Sequence, residues 1–183
     1  FFENILNHKN ISINLNTDAN KYLEFKENTI YFQGYQYDSP VIYTGPIDEL
    51  FKHSYGRLPY RSLEFIWKYS EEDSIQPVAV VAHPQAEGFT RIVEFKKLPH
   101  QDVKGTTYEI EYPLQYDPTK DQEPYYPVIT DESNCILKKY KHLSDTIPNL
   151  YCLGRLGEFK YYNMDQVIAN ALDLSKIIIK NNQ

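Results

Sequence analysis

Arginine is scarce in this chain, with 4 against 15 lysines in 183 residues, and the net charge is −6. An acidic, arginine-poor chain does not present the basic surface that a nucleic acid needs, so no nucleic-acid partner is expected. Cysteine is limited to Cys135 and Cys152. The pair lacks metal or redox spacing and reads as reduced thiols of a cytoplasmic protein. The five histidines (8, 53, 83, 100 and 142) show no metal-ligand pattern and read as solvated surface residues, so no metal site is expected. With only 7 glycines, neither a G-x-G-x-x-G nor a P-loop occurs. Serine and cysteine have no nucleophile elbow, and the carboxylates are too spread for a paired acid/base site. No apolar run approaches membrane-spanning length, and the residues show no signal-peptide pattern. The chain opens on Phe1-Phe2 without an initiator Met, which leads us to expect a piece of a longer protein whose other half lies upstream.

Tyrosine, by contrast, is abundant: 17 residues in a chain that is 42% hydrophobic. A flat apolar ring with a polar tip suits a sugar- or nucleotide-lined cleft, and equally suits ordinary sheet packing. The length allows one core, or two small ones.

The periodicity predicts a helix tail over 1–6, a strand over 11–15, and a hairpin of 22–25 with 29–32 around Glu27-Asn28. A buried strand over 40–44 ends at Gly45-Pro46. Pro46 then starts a helix to about Ser54, with Asp48 and Glu49 in its first turn. Four antiparallel strands follow at 62–69, 78–82, 90–95 and 107–112. The first places Leu63, Phe65 and Trp67 on one face, and the second is read as central. Residues 117–127 read as irregular. Asp131 is expected to cap a helix bearing Ile136, Leu137, Tyr140 and Leu143 on one side. A strand over 150–153 and a helix over 164–180 finish the chain, the helix with a buried stripe of Val167, Ile168, Ala171, Leu172 and Leu174. This order predicts a mixed α/β (α+β) fold. Residues 1–58 and 128–183 form part of an α/β layer, and 59–127 form an antiparallel sheet domain between them. The flanks supply too few strands for a buried parallel sheet.

The densest stretch is 154–166, with two glycines, an arginine, aromatics and a helix start. Gly154 and Gly157 let the backbone turn and approach something closely. Asn163 is placed as N-cap of the helix beginning at Met164, with Gln166 as the returning partner of a capping box. Open N–H groups there suit a phosphate or an electron-rich ring. The same pattern is also ordinary architecture. Among the arginines, Arg61 and Arg91 fall at strand positions with apolar neighbours. Each needs an anionic ligand, or a carboxylate such as Glu64, Glu94 or Glu109. Convergence of these arginines with Tyr126 and Tyr161 would make a pyrophosphate clamp.

Five motifs stand in order: Tyr43-Thr-Gly-Pro-Ile-Asp48, Gly56-Arg-Leu-Pro-Tyr-Arg-Ser-Leu63, Thr90-Arg91, Glu123-Pro-Tyr-Tyr-Pro127 and the 154–166 stretch. Together they resemble UDP-galactopyranose mutase over about residues 1–174, roughly the C-terminal half of such an enzyme. The resemblance implies a partial FAD-binding, Rossmann-like layer flanking the antiparallel sheet. It also implies a flavin-dependent isomerisation of UDP-galactopyranose to UDP-galactofuranose through a flavin–sugar covalent intermediate. The cofactor supplies the nucleophile, in keeping with a chain that shows no nucleophile of its own. Carried over by position, Arg61, Arg91, Tyr126 and Tyr161 would bind substrate, and Arg155 would serve catalysis against flavin and sugar. Arg155 and the residues Asn163, Met164, Asp165, Gln166, Val167, Ile168 and Ala169 would hold FAD. Asn163 replaces the usual Asp, and Ala82-His83 replace an Asn-Tyr pair common in the bacterial enzymes. The resemblance further implies a cytoplasmic homodimer in full-length form, with FAD binding and turnover expected to need the missing half. A flavin amine-oxidase-type fragment or a non-catalytic sugar-nucleotide-binding domain are the alternatives.

Overall fold

The computed structural model describes residues 2–181. Helix α1 (Phe2–Leu6) matches the expected helix tail, whose first residue, Phe1, lies outside the described residues. Residues 11–15 form no strand. Ile13 and Leu15 are exposed there, and alternation without a partner ladder does not make a strand. The hairpin is as expected: β1 (Leu23–Lys26) pairs antiparallel with β2 (Thr29–Phe32). Glu27 and Asn28 both have positive φ, the geometry of a two-residue turn that follows strand twist. A third strand, β3 (Tyr35–Gln36), was not expected. It follows a second turn at Gln33-Gly34, also with positive φ.

Strand β4 (Val41–Tyr43) leads into the short helix α2 (Ile47–Leu50), where Pro46 is the N-cap rather than the first helical residue. The helix stops at Leu50 instead of continuing to Ser54. Lys52 and His53 turn to positive φ, and the His53 N–H closes back on Asp48 O at 2.7 Å.

Five antiparallel strands follow: β5 (Tyr60–Ser70), β6 (Val80–Ala82), β7 (Arg91–Glu94), β8 (Thr106–Gln115) and β9 (Tyr126–Pro127), in the spatial order β6-β7-β8-β5-β9. β5 and β8 pair along their length, from Arg61↔Gln115 to Ser70↔Thr106. The apolar run read as a central strand is therefore the edge strand β6. Its β-branched residues fit a pleated surface wherever it lies, and Val80 is exposed. β9, within the stretch expected to be irregular, forms the opposite edge, where a proline is tolerated.

Helix α3 (Asp131–Asp145) is capped by Thr130, not Asp131: Thr130 and Ser133 form a reciprocal box, which frees Asp131 and Glu132 for the first turn. Leu137 and Tyr140 are buried on the expected side. Strand β10 (Leu150–Cys152) pairs parallel with β4, making a two-stranded sheet. A helical turn, α4 (Gly154–Gly157), and the long α5 (Met164–Asn181) follow. The expected buried stripe on α5 is not buried. Ile168 and Leu172 are 59% and 58% exposed, because among the described residues nothing packs over that side of the helix. The apolar core lies between the hairpin, α2, α3 and β10, around Ile30, Ile47, Leu50, Tyr140, Leu150 and Phe159.

Candidate functional site

Strand parity builds the site. On β5, Arg61 and Leu63 share a face; on β8 their partners are Gln115 and Pro113, and Glu111 lies next along. Arg91 stands opposite Glu111 on one side and Ala82 on the other. Tyr126 of β9 stands opposite Arg61. Above this face lies a groove of about 600 Å³ lined by Arg61, Arg91, Glu111, Tyr126 and Tyr161 among others, with Ala82 and Val80 as an apolar wall. Four of the residues singled out from sequence are thus brought together from three strands and a loop.

Arg91 pairs with Glu111, through Nε to Oε2 at 2.9 Å, and not with Glu64, Glu94 or Glu109. The register explains this. Glu109 stands opposite Val93, two pairs further along β7 and so on the same face but out of reach of that pairing. Glu94 is wholly buried elsewhere, against Lys97 and Thr106. Glu64 differs by one from the parity of Arg61 and so faces the other side of the sheet. The hydrogen bond to Glu111 raises the Arg91 pKa, outweighing burial. Burial, then the charge of Glu111, raises Glu109.

Arg155 does not line the groove; it sits behind two of the groove's rings. Tyr126 and Tyr161 stack at 5.6 Å with an interplanar angle of 18°, and the Arg155 guanidinium lies 4.8 and 5.2 Å from the two ring centroids. Its nitrogens donate to Tyr125 O (3.2 Å) and Tyr162 O (2.7 Å). Arg155 therefore ties β9 to the segment before α5 and frames the tyrosine pair.

The two glycines of the turn serve different ends. Gly154 takes φ +89°, whereas a Cβ on Gly157 would stand 2.9 Å from Tyr43 O, so Gly157 permits α4 to approach β4. The open N–H groups expected at this turn are not open at Gly154, whose N–H donates to Glu158 Oε2 at 3.0 Å, a carboxylate that also disfavours an anion there. At α5 the situation differs. Gln166 Oε1 accepts from the Asn163 N–H at 2.9 Å, the returning half of the expected box, and the first intrahelical bond runs from the Val167 N–H to Asn163 O. Met164, Asp165, Gln166, Ile168 and Ala169 are exposed and Val167 is half-buried, so the first two turns, with Asn163 before them, form an accessible helix start. Tyr161 joins this start to the groove, two residues away in sequence.

Sequence reasoning missed Glu111 and gave no role to Thr90 of the Thr90-Arg91 motif, whose hydroxyl donates to Glu111 Oε1 at 2.8 Å. Pairing 91–94 against 108–111 is the signal that finds them. Of the histidines expected at the surface, His53 and His83 are half-buried, the latter with its ring 5.0 Å from Phe89. Among the described residues no cluster of His, Cys, Asp or Glu is placed to hold a metal ion, and no helix is long and apolar enough to cross a membrane.

The family model of UDP-galactopyranose mutase matches residues 1–161. This chain belongs to the UDP-galactopyranose mutase family. A UDP-galactopyranose mutase of Mycoplasma pneumoniae is 35% identical over 176 residues, covering 93% of this chain and 44% of the relative. A dTDP-fucopyranose mutase of Escherichia coli is 33% identical over 184 residues, covering 100% of this chain and 47% of the relative. The chain thus spans less than half the length of these relatives. Among solved structures, reduced UDP-galactopyranose mutase matches with a TM-score of 0.59 at 16% identity, over 87% of this chain and 44% of that one. At that identity the match speaks for the shared fold.

Proposed function

We propose that this chain carries the diphosphate-binding groove and the flavin-facing helix of a mutase that interconverts UDP-galactopyranose and UDP-galactofuranose. The convergence of Arg91, Arg61, Tyr126 and Tyr161 on one groove carries this reading. Two guanidiniums offer charge and paired donors to a diphosphate, and the phenols add hydrogen bonds and ring faces. Ring migration in the sugar requires UDP to leave and return. Arg91 and Arg61 then have two tasks: stabilising the charge that develops on the departing diphosphate, and holding UDP in place for recapture. A flavin amine-oxidase-type site would call for an apolar or aromatic substrate cage instead of paired cations, so the groove's charge favours the mutase reading.

For the FAD that the family implies, the exposed N-terminal turns of α5, from Asn163 to Ala169, fit an electron-rich ring edge through the first-turn N–H groups of Met164, Asp165 and Gln166, which have no intrahelical partner. The exposed Met164 adds a soft apolar contact. When bound and reduced, the flavin supplies the nucleophilic electron pair for the anomeric carbon. Arg155, committed to two carbonyls and two rings, acts on this site by holding Tyr126 and Tyr161 in place. Coverage of 44% and 47% of the relatives' length leads us to propose that flavin binding, turnover and homodimer formation need the remainder of a full-length, cytoplasmic protein.

Calorimetry with UDP on the protein carrying this chain tests the reading. Arg91→Ala should weaken binding by roughly 1.5–3 kcal/mol, about 10- to 150-fold. Unchanged affinity would remove the groove as the diphosphate site and favour a non-catalytic domain.

A further inference from the structure

Arg91 is held in a way that matters for what it can grip. A carboxylate can engage a guanidinium side-on with both oxygens, consuming Nε and one Nη. Here the guanidinium meets Glu111 through Nε to Oε2 at 2.9 Å, while Oε1 accepts from the Thr90 hydroxyl at 2.8 Å. Glu111 is itself only 6% exposed, so its charge depends on those two partners. Thr90 is in turn fixed by its N–H on Glu111 O at 2.9 Å. The Arg91 side chain, 40% exposed, extends into the groove.

From this geometry we infer that Glu111, with Thr90 behind it, is the positioning residue for Arg91: it fixes the guanidinium by its Nε edge, so that the rest of the fork, beside Tyr126, is turned toward the diphosphate. The inference rests on the groove reading above. A long arginine side chain loses rotamer freedom when it binds, and one already held in place loses less. The contribution of Glu111 is geometric, so an amide of the same shape can replace it. Its oxygen accepts from Nε and its NH2 donates to the Thr90 hydroxyl, which is able to accept.

The test is calorimetry with UDP on four variants, each checked for an unchanged melting temperature. Glu111→Gln is expected to bind within about twofold of the parent, Glu111→Ala about tenfold more weakly, and Thr90→Val about threefold more weakly. Arg91→Ala serves as the reference for the groove itself. A Glu111→Ala protein that binds normally while Arg91→Ala does not would overturn the positioning role alone. A Glu111→Gln protein as weak as Glu111→Ala would also overturn it, assigning the effect to charge instead of shape. If Glu111→Ala does not fold, Thr90→Val decides: normal binding rejects the inference. Normal binding by Arg91→Ala removes the groove reading, and this inference with it.

Discussion

The layer around β4, β10, α2 and α3 buries large apolar side chains, among them Ile30, Ile47, Leu50, Leu137 and Tyr140. Among the described residues, the five-stranded sheet adds only Tyr60 to that core. What the sheet region buries is largely polar: Ser62, Glu94, Lys96, Thr106 and Glu111. Lys96, for example, donates to Asp73 Oδ1 at 2.7 Å and to Val103 O at 2.7 Å, tying two loops at one end of the sheet. The first region is held by close packing. The second is held by the long β5–β8 ladder and by polar pins. A sheet that does not need one face for a core can give that face to a ligand, and the groove lies there. The packed layer carries the opposite condition. Its two-stranded parallel sheet and the exposed side of α5, with Ile168, Leu172 and Ile179, leave apolar area uncovered.

The largest expected effect falls on the packed side. Tyr140 is fully buried, stacks on Phe51 at 6.1 Å, donates to Gly56 O at 2.7 Å and accepts from the Tyr55 N–H at 3.0 Å. Tyr140→Ala should cost about 3–5 kcal/mol in urea unfolding followed by circular dichroism, by cavity formation and two orphaned backbone groups. A loss under about 1 kcal/mol would break the contrast, since surface changes cost that little.

The polar side should show itself through pH. Burial pushes the Glu94 carboxyl up, but Lys97, Thr106 and the Ile75 N–H together hold its pKa below the usual value. A carboxyl depressed in the folded state stabilises the fold above its unfolded pKa of about 4.3, and that contribution is lost as pH falls through the folded value. Stability should therefore drop on acidification below about pH 4.3. Glu94→Gln should cost about 1–3 kcal/mol at pH 7 and flatten the acid limb. An acid limb of unchanged slope in the variant would show that Glu94 is not the pin. Exposed carboxyls such as Asp73 add little, because solvent screens them.

The smallest effect concerns no stability at all. Burial pushes the Cys152 thiol up to about 12, while Cys135 is exposed on α3. Iodoacetamide at pH 8 should label Cys135 in the folded protein and Cys152 only after unfolding, since the thiolate is the reacting form. Equal labelling rates, read by peptide mass spectrometry, would mean that the Cys152 thiol is open to solvent in the folded protein.

Local order was legible in the residues. The Glu27-Asn28 turn, the α3 stripe of Leu137 and Tyr140, and the alternation along β5 all follow from spacing a few residues long, which a sequence displays directly. The arginines and tyrosines of the groove were legible through recurring motifs, though not their partners. Whether β6 is central or at an edge, whether α5 is covered, and which carboxylate meets Arg91 depend on contacts between residues far apart in the chain. Alternation along 62–69 determined that Leu63, Phe65 and Trp67 share a face. Only the tertiary structure decided that this face borders a groove instead of a core, because nothing within one strand says what will pack against it. Likewise, composition made Arg91 need an anion, but the β7–β8 register alone set Glu111 opposite it, since a shift of one residue turns a side chain to the other face of the sheet.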